Sequence, residues 1–264
     1  MNPHTQALGR AQLAAIEGSA DASILDALDD IAPDLAGLAI GFVYGEIYPR
    51  AGLSLPQRQL VTVAALAAMG GLEPQLRFHL AGALNAGCEP VELVEAMIHL
   101  AIYAGFPAAL NGVAAARTVF AEAGIAVAAA APLPAAAGSR YQCGLDRLRE
   151  IDGEAGVRVI AALQEIAPDL GRFIVEFAFG DIYTRPGLGL VSREMVTVAA
   201  LAAMGSATPQ LKVHMHGLLN VGGTRAQLVE TIIQVAAYAG FPRAINAALA
   251  AKEVVAARAQ AGGH

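Results

Sequence analysis

The stretch VTVAALAAMG at residues 61–70 recurs without a single change at residues 196–205, a shift of 135 residues. The same shift carries IAPDL at residues 31–35 onto residues 166–170. From residue 31 to about residue 115 the copies align without insertion or deletion, and roughly half of the positions are identical. Self-similarity at one fixed spacing indicates a duplicated structural unit. The 264 residues are therefore one domain present twice.

The segment between the copies predicts the module boundaries. Residues 126–138 are uncharged and rich in Ala and Pro, a composition that is typical of a linker. We therefore expect a first module at residues 1–125, a linker and helix start at residues 126–150, and a second module at residues 151–264.

Each copy carries helical signals. Apolar residues recur at helical spacing through residues 33–48, and no stretch alternates with period two for long enough to predict a strand. The signals for helix starts are the capping boxes Ser54-x-x-Gln57 and Thr224-x-x-Gln227, and Thr208 before Pro209. The sequence predicts an all-α fold with about five helices per copy.

Composition indicates a chain that hides much of its surface. Hydrophobic residues make up 56 % of the sequence and charged residues 15 %, which excludes a disordered protein. An ordinary protein surface is about a quarter to a third charged, so these charges are too few to cover a small monomer. The remaining apolar surface belongs either in a membrane or in subunit contacts.

The membrane alternative fails on pattern. The uncharged residues 96–116 contain His99, Asn111 and a Gly-Phe-Pro break, whereas a spanning helix needs about 20 consecutive apolar residues. The polar first ten residues are not followed by an apolar core, so no signal peptide is expected. We expect a cytoplasmic homo-oligomer that does not bind membranes.

Charge and cysteine content exclude further classes. The net charge of −6 argues against nucleic acid, which requires clustered Lys and Arg. Cys88 and Cys143 are too few for a disulfide framework and lack Cys-x-x-Cys spacing. The sequence has no Gly-rich phosphate-binding motif, so a nucleotide cofactor has no support.

Four duplicated motifs carry a resemblance to a known family. A Gly-Leu pair precedes a helix that opens with Arg58 or Arg193, and QLRFH at residues 75–79 recurs as QLKVH at residues 210–214. The motifs GALNAG and YAGFP follow in the first copy, and the second copy repeats YAGFP. Over roughly 90 residues of each copy, this combination resembles the carboxymuconolactone decarboxylase family.

The resemblance implies an all-helical fold that packs as rings of modules, commonly hexamers of single-module chains. A tandem chain would then form a trimer with six modules, which would hide the apolar excess. The alkyl hydroperoxidase D-like members use a Cys-x-x-Cys ahead of the His, and neither copy has cysteine there. Thiol redox chemistry needs a thiolate and a resolving partner, so the sequence does not predict a peroxidase.

Decarboxylation of a carboxylated unsaturated lactone suits the residues that remain. Loss of carbon dioxide leaves electrons that spread onto the lactone carbonyl, so no metal or organic cofactor is required. The protein must bind carboxylate, stabilise a dienolate oxyanion and return a proton to carbon. Arg suits the first task, Tyr or backbone N–H the second, and His the third.

The candidate catalytic residues are His79, His99, His214 and Glu194. His79 and His214 are duplicated and match the family motif, although a histidine on such an apolar helix is often a core residue. The copies differ at three informative positions: the second copy has Gln234 for His99, Glu194 for Gln59 and His216 for Ala81. We favour a first-copy pocket with His79 and His99. A Glu194–His214 pair in the second copy and a composite site at a module junction stay open.

The candidate substrate-binding residues are Arg58, Arg193, Glu46, Tyr48, Tyr103, Tyr238 and His216. Arg58 and Arg193 open helices, where a cation is unfavourable to the helix dipole and needs a partner. That partner is a buried carboxylate such as Glu46 or Asp181, or else a substrate. His216 lies two residues from His214 and therefore on another face, so we predict no metal chelate.

Three functions fit the sequence. The first is a cofactor-independent lyase acting on a small carboxylated lactone or related conjugated acid. The second is a tailoring enzyme of secondary metabolism that decarboxylates, dehydrates or rearranges a larger apolar substrate. The third is a non-catalytic helical assembly module. Two or more arginines in a pocket would favour a dicarboxylate, and one or none would favour the apolar substrate.

Overall fold

The computed structural model describes residues 2–18, 30–126 and 139–261. Within these ranges every regular element is a helix, which confirms the all-α tandem fold. Most of the expected linker, residues 127–138, lies outside the described residues. Each module has six helices in the described ranges rather than about five, because the sequence patterns did not predict the first one.

The two modules repeat the same order of elements. The first contains α1 (Pro3–Glu17), α2 (Pro33–Leu38) continued by a π-helical segment (Ala39–Ile47), α3 (Leu55–Met69), α4 (Glu73–Asn85), α5 (Pro90–Tyr103) and α6 (Phe106–Glu122). The second contains α7 (Arg140–Leu163), α8 (Pro168–Phe173) continued by a π-helical segment (Ile174–Ile182), α9 (Leu190–Met204), α10 (Thr208–Asn220), α11 (Arg225–Ala239) and α12 (Phe241–Ala261). Helix α7 crosses the expected boundary at residue 151 without ending there.

The duplicated decapeptide forms the centre of the molecule. It lies on α3 and α9, which pack against each other and are buried over nearly their whole length. Their small side chains, mostly Ala and Val, allow the two helices to approach closely, and the surrounding helices complete an apolar cluster that spans both modules. Helix α11 packs on α3, and α5 packs reciprocally on α9. Each module therefore completes the core of the other.

The predicted helix over residues 33–48 is only partly α-helical. It changes to a π-helix at Ala39, and the second copy changes in the same way at Ile174. Glycines on the preceding helix allow backbone contact there, since a Cβ at Gly9 would overlap the carbonyl of Ile40. Gly144 on α7 contacts the second π segment in the same way.

The predicted capping boxes are confirmed and one predicted cap is wrong. Ser54 and Thr224 each accept a hydrogen bond from the backbone three residues later, and the glutamines there bond back. Thr208 is not a cap, because it is the first residue of α10 and the cap position is Ala207, which has no side-chain hydrogen bond.

Candidate active site

Two related polar clusters lie at the junction of the modules. We call them the Glu194 cluster, which consists of Glu194, His214, Tyr183, Tyr103 and Asp152, and the Gln59 cluster, which consists of Gln59, His79, Tyr48 and Tyr238. Each cluster takes three or more residues from one module and one tyrosine from the other. Both clusters are therefore composite in the structure, which is one of the arrangements that the sequence left open.

Hydrogen bonds in the Glu194 cluster converge on one carboxylate. His214 Nδ1 lies 3.0 Å from Glu194 Oε2, and the Tyr183 hydroxyl donates to Glu194 Oε1. The Tyr103 hydroxyl lies 2.6 Å from that of Tyr183. Glu194 is fully buried, so these bonds replace the water that it loses.

The direction of these bonds fixes the tautomer of His214. A carboxylate only accepts hydrogen bonds, so Nδ1 of His214 carries a proton toward Glu194. Tyr183 gives its single proton to Glu194 and therefore accepts one from Tyr103. Nε2 of His214 is then the ring nitrogen left to act on a ligand.

The charges around His214 favour its protonated form. Burial by itself would lower the pKa of His214, but the charge and hydrogen bond of Glu194 and the charge of Asp152 outweigh burial and raise it above 6.5. His99, in contrast, has a pKa well below its ordinary value, because it is desolvated and lies near the positive charges of Arg193 and His214. Of these two histidines, His214 is thus the one suited to carry a proton near neutral pH.

A cavity of about 300 Å³ opens beside His214. Its polar lining includes His214, Asp152, Tyr103 and Gln210. Most of the remaining lining is apolar and comes from α7, α10, the second π segment and Ile102 of the first module. The residues described as lining this cavity include no Lys or Arg.

The Gln59 cluster keeps the same architecture without the charge. His79 Nδ1 lies 2.9 Å from Gln59 Oε1, and the hydroxyls of Tyr48 and Tyr238 lie 2.8 Å apart. The Tyr238 ring packs edge-on against His79, as Tyr103 does against His214. Burial without a neighbouring carboxylate lowers the pKa of His79 to about 3. His79 is therefore neutral at physiological pH.

The structure does not bring His79 and His99 together, which corrects the first-copy pocket. His99 Nε2 bonds to Thr197 Oγ1 of the other module at 2.9 Å, and its ring packs on Tyr183 with centroids 4.7 Å apart. The physical reason is that α5 packs across the module junction onto α9. His99 thus lies behind the Glu194 cluster, while His79 lies in the Gln59 cluster.

The replacement of Gln234 by His99 also leaves polar atoms unpaired. Gln234 connects Arg58 Nη1, at 3.0 Å, with Thr62 Oγ1, at 3.1 Å. His99 does not accept a hydrogen bond from Arg193 in this way, so His99 Nδ1 and Arg193 Nη1 have no hydrogen-bond partner among the described residues.

Arg58 and Arg193 bind neither Glu46 nor Asp181. Arg58 donates to Glu230 at 2.9 Å, and Arg193 donates to Glu95 at 3.0 Å, each across the module junction. A second arginine joins each pair, Arg50 with Glu230 and Arg185 with Glu95. Both candidate arginines are fully buried, so the structure shows a role in joining the modules.

Glu46 and His216 lie away from the Glu194 cluster. Glu46 is exposed and lines an apolar groove on the outer face with Phe42 and Phe241. His216 is half-buried, and burial together with the charge of Arg258 lowers its pKa. Asp181 pairs with Arg140 near the start of α7. The sequence patterns could not show these directions, because they depend on helix packing.

Sequence reasoning missed three acidic residues. Glu95 and Glu230 are 135 residues apart, so the duplication itself marks them as a matched pair. Asp152 repeats the position of Glu17, and the following glycine is repeated too, at Gly18 and Gly153. These matches lie outside the quoted motifs, but the fixed spacing could have found them.

The sequence profile of the carboxymuconolactone decarboxylase family matches residues 33–118 and, again, residues 168–253. The chain belongs to the carboxymuconolactone decarboxylase family. Each match begins at the proline that opens α2 or α8, so the profile leaves out all of α1 and α7, including Asp152.

Several relatives of the family share part of the chain. A 4-carboxymuconolactone decarboxylase of Acinetobacter baylyi is 38 % identical over 117 residues, which are 44 % of this chain and 86 % of the relative. A nitrosuccinic acid decarboxylase of Metarhizium robertsii is 29 % identical over 82 residues, 31 % of this chain and 57 % of the relative.

A solved structure from the family matches the whole tandem arrangement. The crystal structure from Burkholderia xenovorans, provisionally assigned as a gamma-carboxymuconolactone decarboxylase subunit, is 25 % identical with a TM-score of 0.60. The match covers 96 % of this chain and 98 % of that one.

The family and the relatives named decarboxylases support a carboxy-lyase, not a peroxidase. In the described part of the chain, no helix is both long and apolar enough to cross a bilayer.

Proposed function

We propose that the protein is a cofactor-independent decarboxylase whose reaction takes place in the cavity beside His214. The substrate class is a conjugated carboxylic acid, either a small carboxylated lactone or a larger and more apolar acid. The observation that carries this proposal is the 3.0 Å bond between His214 and Glu194, which prepares a protonated imidazole at the edge of the cavity. The Gln59 cluster, with a neutral His79, has a supporting role.

The Glu194 cluster supplies two of the three functions that the reaction needs, stabilisation of the oxyanion and return of a proton to carbon. When the bond to the carboxylate breaks, its electron pair moves through the conjugated system onto the carbonyl oxygen, and carbon dioxide leaves. The imidazolium of His214 faces the developing negative charge and stabilises it. His214 then acts as the proton donor, so that a C–H bond replaces the lost C–C bond. Glu194 holds the imidazole ring and balances its charge.

The first experiment is a direct assay on the substrates that the relatives' names supply. Purified protein is incubated with 4-carboxymuconolactone or nitrosuccinate, and carbon dioxide release is measured. We expect His214→Asn to reduce turnover at least a hundredfold. His79→Asn, the matched change in the first module, is expected to reduce it less than tenfold. Equal losses in both variants would contradict the assignment of the reaction to one cluster.

The lining of the cavity favours the second candidate, an apolar substrate. A dicarboxylate is normally held by Arg or Lys, but both candidate arginines are bound to Glu95 and Glu230, and the described lining residues include no cation. A larger conjugated acid with one carboxylate fits this lining better. Mass spectrometry of metabolites that accumulate after deletion of the gene would identify it. No accumulation, together with no decarboxylation in vitro, would favour a non-catalytic assembly module.

We also propose that the chain forms a cytoplasmic homotrimer, a ring of six modules. Exposed apolar residues occur at matched positions of the two modules: Phe106 and Phe241 on one pair of helices, and Leu38 and Phe173 on another. A surface that is repeated in both modules suits a closed ring, in which every module makes the same contact. The apolar groove lined by Phe42, Ile233 and Ile245 extends this surface.

A further inference from the structure

Asp152 is a buried carboxyl group that the proposed reaction has not yet used. It lies on α7, is 8 % exposed, and lines the cavity beside His214. Its Oδ1 has no hydrogen-bond partner among the described residues. Burying a carboxyl oxygen without a hydrogen-bond partner costs free energy. Such an oxygen on the lining of a cavity therefore indicates a group that binds a ligand or exchanges a proton.

The backbone around Asp152 is built to hold it in this place. Helix α7 is interrupted directly after it at Gly153, with φ 57° and ψ −143°, a conformation that is open essentially to glycine alone. The carbonyl of Ile151, just before it, accepts a hydrogen bond of 2.8 Å from the Asn220 side chain. One turn later, Gly156 leaves room, because a Cβ there would crowd Asp152.

The part of α7 that follows the interruption lines the cavity. Helix α7 continues for ten residues beyond Gly153. That extension supplies Gly156, Val159 and Ile160 to the wall of the cavity. The break at Gly153 thus positions the carboxyl group of Asp152, and the part of α7 that follows it encloses this group in the cavity.

Asp152 is also coupled to His214. Its Oδ1 lies 3.8 Å from His214 Nδ1, the nitrogen that bonds to Glu194. The charged groups that act on Asp152 are His214 on α10 and Glu194 on α9, while the second π segment contributes the apolar Ala178 and Phe179. Burial raises the pKa of Asp152 to about 6, with Glu194 adding to the shift and His214 opposing it.

We propose that Asp152 is a second acid–base residue of the cavity and shares the transferable proton with His214. This inference rests on the proposed decarboxylase function. After carbon dioxide leaves, the N–H bond of His214 breaks and its proton forms the new C–H bond, as in the proposed function. The O–H bond of Asp152 then breaks to return a proton to His214, and solvent protonates the resulting Asp152 carboxylate. Each turnover consumes one proton for each carbon dioxide released.

The test combines a titration that needs no substrate with an activity assay. In Asp152→Asn, NMR titration of the imidazole signals should show the pKa of His214 lowered by roughly half a unit or more, because one of its two negative neighbours is gone. The matched control is Glu17→Gln, which changes the corresponding position of the first module and should leave His214 unchanged.

The activity arm measures kcat and KM for decarboxylation as a function of pH. We expect kcat of Asp152→Asn to fall at least tenfold with KM within about threefold, and the pH profile to lose one of its two coupled ionisations. If Asp152→Asn does not fold, Asp152→Glu keeps a carboxyl group and should retain the raised His214 pKa.

An unchanged pKa of His214 and an unchanged kcat, both relative to Glu17→Gln, would overturn the role of Asp152. Full activity in His214→Asn would instead overturn the proposed function. The titration separates the two failures, since it reports the coupling of Asp152 to His214 whether or not the tested substrate is turned over.

Discussion

At the scale of single residues, the two modules differ by changes that alter charge more than shape. Glu194 and Gln59 occupy the same position and bond to the matched histidines at nearly the same distance. The carboxylate keeps a proton on His214, while the amide leaves His79 neutral. Divergence after duplication therefore left only the Glu194 cluster with a histidine that is suited to donate a proton.

Exchanging these two side chains should exchange the behaviour of the histidines. In Glu194→Gln the pKa of His214 should fall by at least one unit and decarboxylation by at least a hundredfold, because the imidazolium loses its partner. In Gln59→Glu the pKa of His79 should rise by 1–3 units, to about 4–6. NMR titration of both variants measures these shifts, and a His214 pKa that stays at the parent value in Glu194→Gln would contradict the pairing.

Buried His79 should also make stability depend on pH. Its folded pKa of about 3 lies below the ordinary 6.5, so below pH 6.5 the unfolded chain binds a proton that the folded protein does not. Stability that is present above pH 6.5 is thus lost as the pH falls toward 3. Between pH 7 and pH 5 the loss due to His79 is about 2 kcal/mol.

Urea unfolding at these two pH values tests this effect. We expect His79→Gln to lose about 2 kcal/mol less than the parent protein on acidification, whereas His4→Gln, at an exposed position, should lose as much as the parent. Parallel losses in all three proteins would show that His79 is accessible to protons in the folded state.

At the scale of helices, the modules are held together by two reciprocal sets of ion pairs. Glu95 on α5 binds Arg185 and Arg193 of the second module, and Glu230 on α11 binds Arg50 and Arg58 of the first. Each carboxylate accepts at least three hydrogen bonds, which compensates for its burial.

Neutralising one of these carboxylates should be strongly destabilising. In Glu95→Gln the guanidinium of Arg193 stays buried without its counter-ion, and we expect the free energy of unfolding to fall by about 3–5 kcal/mol. Glu122→Gln removes the exposed partner of Arg77 and should cost less than about 1 kcal/mol. Equal effects, measured by urea unfolding, would contradict a structural role for the buried set.

At the scale of the whole molecule, the core that the two modules share buries only part of the apolar residues in this weakly charged chain. Phe106, Leu110, Phe241 and Ile245 remain 56–66 % exposed, at matched positions of α6 and α12. Apolar residues repeated on one face in this way are typical of a surface that is covered in an assembly.

Charges placed on this face should separate the proposed trimer. We expect the parent protein to elute with three times the chain mass in light scattering, and the double variant Leu110→Glu, Ile245→Glu to elute as a monomer. Asp146→Lys, at an exposed position of α7, should remain trimeric. A monomeric parent protein would rule out the six-module ring.

The sequence by itself determined the all-α fold and the two modules, and it offered the Glu194–His214 pair only as an alternative to the favoured pocket of His79 and His99. Helical periodicity and capping boxes depend on neighbouring residues, so they are visible in the sequence.

Tertiary structure decided three further features: the partners of Arg58 and Arg193, the separation of His79 from His99, and the approach of Tyr103 to Tyr183. These contacts cross the junction between modules, and no local pattern records how α5 and α11 pack onto the opposite module. The place of Asp152 likewise follows from a helix break at Gly153 and from packing against α10, which bring a residue from outside the repeated motifs to the edge of the cavity.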